Sequence, residues 1–180
     1  MAPPPQYEAL GSQRAANANA NAIAADAPAD VGAAAQSLPL ASQALLFIAS
    51  LAGFVALDGV WLGLVARRFY ASHLGPAGVL RPDADLLAAA LSWVSIVAAN
   101  YFFVLPSTAG YRPAHVSLRK GFLLGLCLYG TVDFTNCALI RGWGWPVALV
   151  DVAWGSTACA ITALVQNRLH FALSASAGRG

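Results

Sequence analysis

The sequence predicts an all-α integral membrane protein, a four-helix bundle preceded by a disordered N-terminal tail. Three observations carry that expectation. Hydrophobic residues make up 58% of the 180 residues and charged residues only 10%, where a soluble domain carries about 25% charged residues. Four apolar stretches lie at about 44–66, 86–105, 121–140 and 146–165. Each is about 20 residues long, the length an α-helix needs to cross a hydrocarbon core about 30 Å thick. Residues 1–40, by contrast, are rich in Ala, Asn and Pro and hold no long apolar run.

The tail has one basic residue, Arg14, and three acids, Glu8, Asp26 and Asp30. It lacks the basic and then apolar order of a secretory signal and the Arg-rich, acid-poor composition of a transit peptide. It is expected to stay disordered, because it cannot bury enough apolar area to fold. Pro4-Pro5-Gln6-Tyr7 fits the PPxY pattern that WW domains bind in an extended conformation. Tyr7-Glu8-Ala9-Leu10 fits a tyrosine-based sorting signal. Both patterns are short enough to arise by chance.

Residues 44–166 form the membrane domain, and 167–180 form a short C-terminal tail. The connectors "RRFYASHLGPAGVLRPDAD" (67–85) and "PSTAGYRPAHVSLRK" (106–120) carry Gly, Pro and charge. "RGWGWP" (141–146) reads as a tight turn with interfacial tryptophans, and Pro146 suits a first helical turn. Four spans in antiparallel order place both termini on one side. Arg112, Arg119, Lys120 and Arg168 flank that side, and Arg67, Arg68, Arg81 and Arg141 flank the other. The positive-inside rule is nearly balanced, with Arg14 and Arg179 favouring cytosolic termini. The net charge of +2 and the absence of basic blocks exclude nucleic acid as an expected partner. Cys127, Cys137 and Cys159 match no metal signature and read as packing residues.

Three acids lie within the spans: Asp58, Asp133 and Asp151. A central Asp costs about 2.5–3.5 kcal/mol on the translocon scale, so such residues face a bundle interior or a wet cavity. At 1.5 Å rise per residue they sit about 12, 10 and 8 Å from their helix ends. Antiparallel threading puts those ends beneath one membrane face, opposite the termini. Trp61 follows Asp58 by three residues, and Trp154 follows Asp151 by three, so each pair shares a helix face. The indole N–H needs an acceptor that a carboxylate supplies. Asp133 shares its face with Asn136, Tyr129 and Cys137. Gly59 and Gly63, and Gly121 and Gly125, form GxxxG faces suited to close helix contact. In the second span Ser92, Ser95 and Asn100 are the polar candidates, with Asn100 expected to bond a neighbouring helix.

Three carboxylates under one face repel one another and are costly to desolvate, so protons or cations must neutralise them. Arg67, Arg68 and Arg141 are the expected counter-ions. A metal held by Asp58, Asp133, Asp151 and His73 is the lesser alternative, since one loop histidine supports it poorly. No metal site and no cofactor are therefore expected. No His and no Lys falls inside a predicted span, so haem and retinal find no anchor.

The segments "LDGVWLGLVARRFY" (57–70), "GLCLYGTVDFTNCALIRGW" (125–143) and "LVDVAWGSTACA" (149–160) resemble the DUF2177 family of small membrane proteins. The matching positions are Asp58, Trp61, Phe69 and Tyr70; Tyr129, Gly130, Asp133, Thr135 and Asn136; and Asp151, Trp154 and Gly155. The resemblance covers about 44–166 and implies four membrane helices without an established activity.

Three functions compete. The first is a Trp-lined acidic pocket, built from Asp58, Trp61, Tyr129, Asp133, Thr135, Asn136, Asp151 and Trp154, that acts on a membrane lipid or other amphiphile or assists its modification. Its depth matches headgroups and upper acyl chains, although no HExxH, GxSxG or phosphate loop accompanies it. The second is proton- or cation-linked transport through Asp133, which would require a homo-oligomer to complete a path. The third is an assembly protein whose aspartates only fasten the helices.

Overall fold

The computed structural model describes residues 38–109 and 113–177. The PPxY and tyrosine patterns of the tail lie outside the described residues. Among those described, the structure is all-helical. Helix α1 spans Leu40–Val60 and runs into a wide π turn, Trp61–Val65. A short helix, α2, covers Arg67–Leu74. Helix α3, Leu86–Ala99, continues through a second π turn, Asn100–Val104, and a 3₁₀ turn, Leu105–Ser107. Helix α4 spans Ala114–Leu139 and α5 spans Trp145–Ala177.

Four helical stretches are long and apolar enough to cross a membrane: 40–65, 86–107, 114–139 and 145–177. Several hydroxyls inside them are bonded within their own helices. Ser50 donates to Leu46 O, Ser95 to Leu91 O, Thr131 to Cys127 O and Ser156 to Val152 O. This back-bonding satisfies a polar group where no water is present.

The helix limits depart from the expected ones. Helix α4 starts at Ala114, not 121, and α5 continues to Ala177, not 165. Hydropathy marks where the apolar run ends, whereas the backbone ladder continues past it through residues such as Gln166, Asn167 and His170 that are buried against neighbours. His115 and His170 are therefore helical, as is His73 in α2, so all three histidines, expected outside the spans, are borne on helices. Part of the first connector is the helix α2, since Leu74 can bury while Arg67 and Arg68 stay exposed. The π and 3₁₀ turns of the second span precede and include Pro106, which has no N–H to offer the Phe102 carbonyl.

Helix α5 is the hub. Of its apolar window 56% is buried within the protein, against 22, 17 and 17% for the others, whose apolar surface is left for lipid. Helix α4 packs along it with backbones in close approach. A Cβ at Gly125 would stand 2.6 Å from Ser156 Cα, and one at Gly121 would stand 2.6 Å from Cys159 O. Helix α1 packs on α5 and α3 with the stripe Leu46, Ser50, Phe54 and Asp58. Gly59 and Gly63 therefore face open space, and the first GxxxG pairs with no helix among the described residues. Phe54, Val97 and Ala158 form the core between α1, α3 and α5, with Trp93 and Trp154 packed against it.

Helices α3 and α4 meet differently. Their close approach comes through the Asn100–Val104 turn, nearer the termini side. Toward the opposite face they leave a cavity between them. Asn100 Nδ2 donates to its own Ile96 O, 3.2 Å away, and its side chain also lies against Cys159 of α5. Gln166 on α5 makes a crossing bond, to Val97 O at 3.3 Å.

Candidate functional site

The polar site lies beneath the face opposite the termini and draws on every helix. Helix α1 brings Asp58, which is 8% exposed. Its two oxygens are both used. Trp93 Nε1 on α3 donates to Oδ2 at 2.8 Å, and Trp154 Nε1 on α5 donates to Oδ1 at 3.0 Å. Trp61 stacks on Trp154 with ring centroids 4.4 Å apart and planes 5° from parallel. The expected pairing of each Asp with the Trp three residues on is not formed. Trp154 Nε1 reaches across to Asp58 instead of Asp151 on its own helix, and Trp61, stacked on Trp154 from the other side of the helix contact, leaves its buried N–H without an acceptor.

Helices α4 and α5 bring the other two acids together. Asp133 is fully buried, and its Oδ1 accepts from Trp143 Nε1 at 3.1 Å. Trp143 belongs to the 140–144 turn, where Gly142 at φ +91 reverses the chain. Asp151, half-buried, accepts from the Tyr70 hydroxyl at 2.7 Å. That bond ties the outlying helix α2 to the hub. Asp133 and Asp151 border the same cavity, close enough for each carboxyl to act on the other. Asp133 Oδ2 is buried and has no hydrogen-bond partner. Two carboxylates both accept, so a bond between them needs a proton on one. Asp58 is near enough for its charge to act on Asp151.

Tyr70 lies outside the membrane-spanning segments. Its burial, followed by its bond to the Asp151 carboxylate, pushes the phenol well above its ordinary range. It therefore acts as a donor to Asp151.

Beside the acid pair lies a cavity of about 340 Å³. Ser92, Ser95 and Ile96 of α3 line one wall; Leu128, Tyr129, Val132 and Asp133 of α4 line the other, and Asp151 also borders it. Val132, 59% exposed, lies at its rim. The Tyr129 ring lies over Gly155, where a Cβ would strike it.

The residues expected at the site divide accordingly. Asp133, Asp151 and Tyr129 border the cavity. Asp58, Trp61 and Trp154 form an adjoining Asp–indole cluster. Thr135 is exposed on the outside of α4, and the Asn136 side chain bonds none of the acids. Arg67, Arg68 and Arg141 are exposed and pair with none of the acids; the ion pair among the described residues is Arg81–Asp85 at 3.3 Å. Indole and phenol donors take the place expected for arginine, because their planar apolar bodies bury beside the acids while a guanidinium stays hydrated. His73 Nδ1 donates to Phe69 O at 2.9 Å and remains exposed. Among the described residues no three metal-ligating side chains converge.

Trp93 and Trp143 escaped the sequence reading as donors, and Tyr70 entered it only as a position of family resemblance, without a partner. Trp93 had a signal, since it lies about 10 Å below the start of α3 at 1.5 Å per residue, the depth of the acids. Trp143 and Tyr70 lie in segments that read as connectors.

These features define a multi-pass membrane protein with a buried acidic site under one face. The chain belongs to the family described as predicted membrane protein (DUF2177), which matches residues 43–167, more than two-thirds of its length. No curated protein sequence and no solved structure matches it.

Proposed function

We propose that the Asp133–Asp151 pair receives the head of a membrane amphiphile and acts on it, or assists its modification, by moving a proton. The observation that carries this reading is the buried acid pair bordering a cavity between α3 and α4. Lipid reaches such a place sideways, without crossing the polar surface. A carboxyl–carboxylate pair is a chemical device for proton transfer, since one member donates while the other accepts. Tyr70 orients Asp151 and Trp143 orients Asp133, so both oxygens are presented in fixed positions.

Asp58 has a separate role in this reading. Both of its oxygens are occupied by indoles from two other helices, which suits a fastening that holds α1, α3 and α5 together. Asp133 keeps one oxygen without a donor. The difference in bonding supports a division between a structural acid and an operating pair.

The test is an untargeted lipid and isoprenoid profile of membranes from cells lacking the protein. The null is complemented with wild type, Asp133→Asn or Asp151→Asn at matched protein levels. A species that changes in the null, returns with wild type and fails to return with either variant is the expected result. A profile unchanged across all four strains contradicts the proposal and favours ion transport or assembly.

A further inference from the structure

We infer that the cleft between α3 and α4 takes a single-chain amphiphile whose head donates hydrogen bonds and carries no negative charge, either an alcohol or a protonated amine, and that it rejects a phosphate head. This rests on the reading that the acid pair receives an amphiphile, and it names the class.

The lining offers acceptors and lacks cations. Asp133 is fully buried, borders the cavity, and has an Oδ2 that no donor approaches. The Ser95 hydroxyl spends its hydrogen on Leu91 O, which leaves its lone pairs as acceptors. No Arg or Lys lines the cavity. A head entering here meets a surplus of unfilled acceptors next to two carboxyls. A hydroxyl or ammonium supplies the missing donor, and an ammonium also balances the charge. A phosphate brings like charge against the pair with no counter-ion, an arrangement that costs several kcal/mol in a water-poor site.

The size and walls set the rest of the class. A volume of about 340 Å³ lies at the low end of ligand pockets, which run to about 1,000 Å³. It holds a small head and the start of one chain. Ile96, Leu128 and Val132 provide apolar walls for that chain, and the exposed edge at Val132 lets it continue into lipid. The five hydroxyl- and carboxyl-bearing residues Ser92, Ser95, Tyr129, Asp133 and Asp151 border the head.

Native mass spectrometry of the full chain released from detergent micelles reads this directly. The protein is offered an equimolar mixture of stearylamine, stearyl alcohol and stearyl phosphate. The expected result is one amine or alcohol adduct per chain, at least about tenfold above the phosphate adduct. Ser92→Trp, which fills the cavity and leaves the acids in place, removes all adducts while the circular dichroism spectrum and melting curve stay those of wild type. Asp133→Asn lowers the amine adduct by about tenfold and leaves the alcohol adduct, because the amide keeps an acceptor but has no proton to release and so cannot set a second negative charge against an ammonium. A phosphate adduct equal to or above the others, and abolished by Ser92→Trp, overturns the head class and leaves the amphiphile site standing. Absence of every adduct, or adducts that Ser92→Trp does not reduce, overturns both.

Discussion

Asp58 and Asp133 carry the same carboxylate into the membrane and are held differently. Asp58 binds two indole N–H groups, from Trp93 and Trp154. In Asp58→Asn the amide keeps one acceptor and turns its NH₂ toward the other indole. The expected loss is about 1–3 kcal/mol of unfolding free energy, the cost of a buried donor left unsatisfied, measured by denaturant titration in detergent. In Asp133→Asn the amide oxygen still accepts from Trp143 and its NH₂ faces Asp151, so the stability loss is the smaller of the two. Equal losses would remove the distinction between a fastening and an operating acid. Tyr70 gives a pH-dependent check. Its phenol is pushed above its ordinary value of about 10, so the folded state holds that proton after the unfolded state has lost it. The resulting stabilisation is complete below about pH 10 and is lost as pH rises through the folded value. The stability gap between wild type and Tyr70→Phe is expected to be constant up to about pH 10 and to shrink above it. A gap that widens there would contradict the bond to Asp151. At this scale the sequence showed which acids share a depth, because depth follows from residue count alone. It did not show their partners, because Trp93 and Trp154 bond across helices and spacing along one helix cannot report that.

Among elements, α4 and α5 form the closest pair, and glycine is the reason. Gly121 and Gly125 lie where a Cβ would press into the α5 backbone. Gly125→Leu is expected to destabilise by at least about 1–3 kcal/mol, the usual cost of overpacking. Gly59→Ala and Gly63→Ala, where nothing lies within 4 Å, are expected to change stability by no more than about 0.5 kcal/mol. Thermal unfolding of the three variants side by side checks both statements, and a large loss at Gly59 would mean that α1 has a partner outside this chain. The two GxxxG motifs look alike in sequence. Only the face each helix turns to its neighbours separates them, and that is set by the stripe Leu46, Ser50, Phe54 and Asp58 on α1. The four spans were legible because length and hydropathy fix them. Their ends were not, because α5 carries Gln166, Asn167 and His170 buried against its neighbours, and hydropathy reads those residues as an exit.

The whole bundle is held on one side and open on the other. Helix α5 joins α4, α1 and α3, while α3 and α4 close on each other through Asn100–Val104 and leave the cavity beyond it. The fold class follows from four apolar runs, but this opening does not, since it depends on which helices avoid one another. On the function proposed above, this placement makes the acid pair reachable from lipid, while Asp58 is held by two indoles. A lipid-soluble carbodiimide distinguishes these positions, because it enters from the bilayer and modifies carboxyl groups that carry a proton. The measurement is peptide mapping of the full-length protein after treatment in vesicles. Modification of Asp133 or Asp151, with Asp58 unmodified, is the expected result. Modification of Asp58 at the same rate, or no modification at either member of the pair, would contradict a proton-holding acid pair open to the membrane.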